Sequence, residues 1–241
     1  MKIHHLLEGW VTDADTNDAN GEYDHAENKD SVEGADIHGN VYNDLVKKGY
    51  KFLGAGVEQA AFLEPGTGLV LKIFGNDYGY NEMSHGQENF KKWADFCMQP
   101  ENKSNPFLPG YYGWTKFKYK KVTYLQIRCE RLFPANPGWS AKGIYFGNLL
   151  AHDMKSAQNK PYPSDMYKGQ KSLSQLILLV GGEEQFKLLW NTIYKVAQYG
   201  RKNGLYLDLH DENFMLGSNG MPVINDPFYG GDSDDGSSYY R

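Results

Sequence analysis

Short stretches in which apolar residues alternate with polar ones, or form a continuous apolar run, recur along the chain between glycine, proline and asparagine residues. This pattern predicts β-strands. Two more apolar segments are joined through Asn219 and Gly220, which is typical of a hairpin turn. The predicted strands are 50–56, 58–63, 69–74, 122–129, 214–216 and 222–224.

Helical spacing of apolar residues appears in three other segments, 81–98, 173–180 and 183–202. The last of these is predicted to end at Gly204, and it carries one long apolar stripe: Phe186, Leu189, Trp190, Ile193, Val196 and Ala197. Residues 133–170 have no clear period and are predicted to form an insertion of loops and helix. The chain is therefore predicted to be of the α+β class.

Candidate chemistry is concentrated near the C-terminal end. Asp208 and Asn213 lie five residues apart, and Asp226 follows Asn213 by thirteen. An Asp and an Asn at this spacing can place a base and a metal ligand on one loop, and the predicted hairpin returns the second Asp beside them. Carboxylate and amide oxygens suit Mg²⁺, so this spacing predicts a phosphoryl-transfer site.

Such a site requires a glycine turn and a lysine in the N-terminal half. Gly54-Ala55-Gly56 follows the first predicted strand, and Lys72 is the only charged residue of the third. Alone, the glycine pair is more often an ordinary turn, and the lysine is more often an edge residue whose amine reaches solvent. Their order ahead of the acids favours a functional role.

These motifs resemble the protein-kinase-like superfamily over residues 49–229. The Asp-x-His-x-x-Asn loop and the Asp226-Pro227 pair resemble most the early host-takeover serine/threonine kinases of short-tailed phages. The Asn-Asp-Pro sequence is similar to that of minimal kinases injected by pathogenic bacteria. The resemblance implies a bilobal fold with an antiparallel-sheet N-lobe and a truncated helical C-lobe.

The resemblance also implies site roles. Asp208 is the catalytic base, Lys72 binds the α/β phosphates of ATP, and Asn213 and Asp226 hold Mg²⁺. His210 either touches the γ-phosphate or bonds to a loop carbonyl. The remaining nucleotide-binding residues belong to the glycine loop, the second strand and the hinge that follows Cys129: Gly54, Ala55, Gly56, Val57, Ala61, Glu130, Arg131 and Leu132.

An acid on the helix after the lysine strand is expected to pair with Lys72, and two candidates exist. Glu88 lies sixteen residues after Lys72 but on the helix face opposite Phe90 and Trp93. Glu82 shares their face but lies only ten residues after Lys72. We predict Glu88 from its reach.

The resemblance to phage and effector kinases implies that the acceptor of the phosphoryl group is a serine or threonine of a host protein. Similarity of the Asp-Leu-His-x-x-Asn form to aminoglycoside and choline kinases leaves a small-molecule acceptor open. Gln59 replaces the third loop glycine, Tyr206 stands where protein kinases have His, and only thirteen residues follow Phe228, too few for an activation segment. A nucleotide-binding scaffold without transfer activity is therefore a third alternative.

Composition bears on domains and location. Residues 1–44 hold eleven of the thirty acidic side chains and two of the twenty-five basic ones, a local balance of −9 within a net charge of −5. We divide the chain into this acidic, flexible arm, an N-lobe with hinge at 45–132, and a C-lobe with a short tail at 133–241. The arm is predicted to lie on the basic body and limit access to the cleft.

Cys97 and Cys129 have no metal-ligand spacing and are predicted to be buried free thiols. No segment approaches eighteen apolar residues. We therefore expect a cytoplasmic protein, in the host cytoplasm if it is viral, that binds neither membranes nor nucleic acid.

Overall fold

The computed structural model describes residues 37, 39–55, 59–75, 85–119, 122–134, 157–159, 161–162, 177–209 and 213–229. The helices in this part are α1 (Gly39–Lys47), α2 (His85–Cys97) and α3 (Glu183–Lys202). The strands are β1 (Lys51–Ala55), β2 (Gln59–Leu63), β3 (Val70–Phe74), β4 (Tyr111–Tyr119), β5 (Val122–Cys129), β6 (Phe133–Pro134), β7 (Tyr206–Leu207), β8 (Phe214–Leu216), β9 (Pro222–Ile224) and β10 (Phe228–Tyr229). The predicted α+β class and the antiparallel N-terminal sheet are confirmed.

The largest sheet has five strands in the order β1-β2-β3-β5-β4, and every neighbouring pair is antiparallel. β3 lies at its centre and is buried along its whole length. In the register, Lys72 is opposite Ala61 of β2 and Ile127 of β5. Lys72 is thus surrounded by apolar strands rather than placed at an edge.

Alternation along these strands divides the sheet into two apolar faces. Leu71 and Ile73 of β3 pack on one face, together with Ile37 and Val41 from the segment before β1. Val70 and Phe74 pack on the other face, in the main core with α2, α3 and the β8–β9 hairpin. Lys72 lies two residues from both Val70 and Phe74, so its side chain points to the same face of the sheet as theirs, the face that α2 covers.

The position of α1 shows that the predicted flexible arm, residues 1–44, was drawn too long. Residues 39–44, assigned to a flexible segment, begin α1, and Val41 is 6% exposed. Ile37 is completely buried in the same cluster. The chain is therefore fixed to the sheet from Ile37 and Gly39 onward, whereas residues 1–36 lie outside the described part.

α3 forms as predicted. Its apolar stripe is at most 3% exposed, and Gly204 follows it with a positive φ of 66°. Described pieces of the predicted insertion bind to it: the N–H of Tyr162 donates to Oδ1 of Asn191, and Arg201 donates to the carbonyl of Gln158. The first two residues of that insertion are β6, which pairs with β8.

Two small antiparallel units follow α3. β8 and β9 form the predicted hairpin, with Gly220 at φ 75° in the turn. β7 pairs with β10, so the residues just before Asp208 lie beside those just after Pro227. This pairing was not predicted, and it joins the two acid-bearing segments.

Phe228 anchors this unit to the core. Its ring meets Trp93 of α2 edge-on at 5.8 Å and lies 6.4 Å from Tyr199 of α3, measured between ring centroids. A Cβ at Gly200 would come within 2.8 Å of Cε1 of Phe228. Glycine at this point of α3 thus provides the space for the ring.

We expect Gly200→Ala to destabilise the protein by about 1–3 kcal/mol, because the new methyl group forces the Phe228 ring out of a packed position. Thermal unfolding followed by circular dichroism measures the change. Combining Gly200→Ala with Phe228→Leu should cost less than the sum of the two single changes. Additive effects would show that the contact with Phe228 is not the cause.

None of the helices in the described part has the length and apolar character needed to cross a bilayer.

Candidate active site

The loop of Asp208 is bonded to the segment that carries Asp226. The N–H of Asp208 donates to the carbonyl of Pro227 at 2.7 Å, and the N–H of Asn225 donates to the carbonyl of Asn213 at 2.8 Å. Within the loop, Nδ2 of Asn213 donates to the main-chain carbonyl of Asp208 at 2.7 Å. The two acids and the amide, separated along the chain, are thereby brought to one place.

Lys72 reaches the same place from the sheet. Its Nζ donates to Oδ1 of Asn225 at 3.1 Å and lies 4.8 Å from the centre of the Phe90 ring. The residue is only 6% exposed. Burial lowers the pKa of the Lys72 ammonium below its usual range, and the negative charge of Asp226 opposes that shift.

Cys129 lies near the same amine. Burial raises the pKa of its thiol to about 11, although the charge of Lys72 acts in the opposite direction. The thiol is therefore neutral at neutral pH, and Asp226 is the negative charge that acts on Lys72 there. Both Cys129 and Cys97 are free and buried, as predicted.

The predicted pairing of Lys72 with Glu88 is wrong in this structure. α2 turns Gln87, Phe90 and Trp93 toward the core, and Glu88 is exposed on the other side. The hydrogen bond of Lys72 goes to Asn225 instead. Glu82 lies outside the described residues.

The predicted hinge follows β5 directly. Glu130 is bonded to Gly110 twice: its N–H donates to the Gly110 carbonyl at 2.7 Å, and its Oε1 accepts from the Gly110 N–H at 2.9 Å. Arg131 lies over the Phe133 ring at 5.0 Å. Leu132 is buried in a small apolar cluster with Met215 and Val223, which connects the hinge to the β8–β9 hairpin.

The predicted glycine loop is described in part. The register of β1 against β2 shifts between Phe52 and Gly54. A glycine in a strand often marks such an irregularity. Ala55 is buried, and Ala61 is 1% exposed on β2 opposite Lys72. Gly56, Val57 and His210 lie outside the described residues.

The donor set fits a magnesium ion that also binds phosphate. Asp226 offers a carboxylate and Asn213 an amide oxygen, while its Nδ2 is bonded to Asp208. Among the residues described, no three His, Cys, Asp or Glu side chains form a metal cluster. Because Mg²⁺ is commonly held by one or two carboxylates together with substrate phosphates, a complete protein cage is not required.

Three residues of this region were not identified from the sequence: Gln87, Trp93 and Asn225. Gln87 is completely buried, and its Nε2 donates to the carbonyls of Phe74 and Gly75 at the end of β3. Trp93 donates from Nε1 to the carbonyl of Asn225 at 2.9 Å. Asn225 could have been found from the sequence, because it directly precedes Asp226 in the Asn-Asp-Pro motif. No sequence motif marks Gln87.

No protein-family model matches the chain, and no curated protein matches its sequence.

Proposed function

We propose that this protein is an ATP- and Mg²⁺-dependent phosphotransferase with a bilobal protein-kinase-like fold. One observation carries the proposal: Lys72, on the central strand of an antiparallel sheet, is bonded to the residue before Asp226, and that segment is bonded to the loop of Asp208 and Asn213. These groups are a cation, a pair of metal ligands and a base, and together they suit phosphoryl transfer.

In this proposal Lys72 binds the α and β phosphates. Its environment supports the role, because a buried amine whose hydrogen-bond acceptor is a neutral amide keeps its charge available for an anion. Asn213 and Asp226 would hold Mg²⁺, which supplies positive charge to the β and γ phosphates when bound. The backbone N–H groups of residues 54–57 would donate hydrogen bonds to the phosphates.

Asp208 is proposed to orient the acceptor hydroxyl and take its proton. Its main-chain N–H donates to the carbonyl of Pro227, and its main-chain carbonyl accepts from the side-chain Nδ2 of Asn213, so its position is fixed from both sides. The carboxylate of Asp208 thus lies beside the proposed metal ligands. A protein that only bound nucleotide would not need this carboxylate.

The adenine ring is proposed to lie between the sheet and the hairpin. Ala61 and Val70 supply apolar surface on the sheet, and Leu132 and Met215 supply it on the other side. The hinge, Glu130 to Leu132, would contact the purine edge through its backbone. Since the N–H of Glu130 is bonded to Gly110, its carbonyl is the group we assign to the purine.

The acceptor is proposed to be a serine or threonine hydroxyl of a host protein. This choice rests on the resemblance to phage and effector kinases in the Asp-x-His-x-x-Asn and Asn-Asp-Pro sequences. The test is incubation of the purified protein with γ-labelled ATP, Mg²⁺ and a bacterial lysate. Labelled protein bands support the proposal, label only in small metabolites indicates a small-molecule kinase, and ATP binding without transfer indicates a scaffold.

Lys72→Met provides the matched control for that experiment. We expect loss of ATP binding with a melting temperature within about 4 °C of the wild type. Met removes a buried charge, which favours folding, but it leaves Oδ1 of Asn225 without its donor, which opposes folding. Calorimetric titration and thermal unfolding measure the two effects. A much lower melting temperature would make Lys72 a structural residue.

A further inference from the structure

Asn225 connects three elements around the candidate active site. Its side-chain Oδ1 accepts from Lys72 of β3, its main-chain carbonyl accepts from Trp93 of α2, and its N–H donates to the carbonyl of Asn213. The residue is 6% exposed. A buried amide with this set of bonds has a fixed position, and it fixes the groups around it in turn.

The buried charge of Lys72 makes this contact important. An ammonium group withdrawn from water needs hydrogen-bond partners, and its orientation depends on where they lie. α2 contributes a ring face through Phe90, at 4.8 Å, whereas Glu88 is exposed on another side of the helix. Among the described residues, the side-chain oxygen bonded to Lys72 belongs to Asn225.

Among the described residues, the bonds that hold α2 to the end of β3 and to Asn225 involve no acid, although Asp95 of α2 accepts from Nε1 of Trp114 on the outer strand β4. Gln87 donates to the carbonyls of Phe74 and Gly75, and Trp93 donates to Asn225. Both side chains are neutral donors to main-chain carbonyls. α2 is therefore held against β3 and the Asp226 segment by bonds that leave the charge of Lys72 unchanged.

We propose that Asn225 is the positioning residue of Lys72 and that it fulfils this role in place of an acidic residue on α2. Its catalytic consequence rests on the proposed function, whereas the contact itself does not. Because Asn225 immediately precedes Asp226, one segment would set the place of both the phosphate-binding amine and a metal ligand.

The geometry allows a selective test. The bonds of Asn225 to Trp93 and Asn213 use main-chain atoms, so a change of its side chain removes only the bond to Lys72. Asn225→Leu removes the acceptor, and Asn225→Asp keeps an acceptor of the same shape. Glu88→Gln is the matched control, because it neutralises the exposed acid of α2.

The first measurement does not depend on activity. Reductive methylation of Lys72 in the full chain, quantified by mass spectrometry at one pH, should rise several-fold in Asn225→Leu. It should stay at or below the wild-type value in Asn225→Asp and be unchanged in Glu88→Gln. If Asn225→Leu does not fold, Asn225→Ala provides the same comparison.

The second measurement separates positioning from a general loss of structure. In Asn225→Leu the KM for ATP should rise about tenfold or more, since hydrogen bonds to charged groups contribute strongly. The fraction of folded protein should stay the same, and Asn225→Asp should recover most of the affinity. Glu88→Gln should remain within about twofold of the wild type.

The opposite pattern overturns the inference. Equal methylation of Lys72 in the wild type and Asn225→Leu would show that Asn225 does not hold the amine. A large effect of Glu88→Gln in both measurements would show that the acid holds it. Phosphoryl transfer by the wild type would leave the proposed function standing in that case. Conversely, a wild type that binds no ATP ends the proposed function, while the methylation contrast still decides the contact.

Discussion

Asp208→Asn is expected to reduce the rate of phosphoryl transfer by about 10²-fold or more while ATP affinity stays within a few-fold. A positioned group that accepts a proton contributes about that factor. Asparagine has the same shape as aspartate but does not act as a base. The bonds at the N–H and carbonyl of residue 208 do not change, and the amide oxygen of an asparagine can still accept the 3.5 Å bond from Nδ2 of Asn213, so the substitution should preserve the loop.

Initial rates at saturating ATP and calorimetric titration with ATP measure the two expectations separately. Asp44→Asn is a suitable control, because Asp44 is an exposed acid on α1, on the opposite face of the sheet from Lys72. It should transfer phosphate at the wild-type rate. Turnover by Asp208→Asn equal to that of the wild type would show that Asp208 is not the base.

Local pattern was sufficient for most of the regular structure. Alternation between apolar and polar residues located β5, short apolar runs located β1, β2 and β3, and one apolar stripe located α3 and its end at Gly204. The burial that forms these elements is visible in the sequence as a period of two or 3.6 residues, or, for a strand that is buried on both faces, as a short apolar run. Predicted ends differ from the observed ends by a few residues, as strand and helix termini depend on their neighbours.

Elements that depend on neighbours distant in sequence were missed. α1 lies where acidic residues dominate the composition, and its apolar residues Val41 and Leu45 pack only because the sheet provides a surface. β4 alternates lysine with aromatic residues, yet β5 defines it by pairing with it over its whole length. β7 and β10 are two residues each, too short for any period.

The candidate site also has one part that local sequence predicts and one part that depends on residues distant in sequence. Spacing and a hairpin signal were sufficient to bring Asp226 toward the loop of Asp208, because the turn between them is local. Counting residues from Lys72 gave the reach of Glu88 but not its direction: the neighbouring Gln87 is buried, whereas Glu88 is exposed. Successive residues of a helix point about 100° apart, so the packing of α2 decides which one faces the sheet.

Asp226→Asn is expected to abolish Mg²⁺-dependent nucleotide binding, the largest effect that we predict. The substitution exchanges a charged oxygen ligand for a neutral one, and Mg²⁺ sites of this kind depend on one or two carboxylates. It also removes the negative charge that acts on Lys72. The packing of Phe228 against Trp93 and Tyr199 does not involve the carboxylate, so the fold should remain.

Calorimetric titration with ATP, with and without Mg²⁺, tests this expectation. The wild type should bind ATP more tightly when Mg²⁺ is present, and Asp226→Asn should bind equally weakly in both conditions. Asn213→Ala should show a smaller loss, because the amide is a neutral ligand and the carboxylate remains. Survival of the magnesium-dependent gain in Asp226→Asn would show that the metal is held elsewhere, and equal losses in the two variants would place Asn213 on a par with the carboxylate.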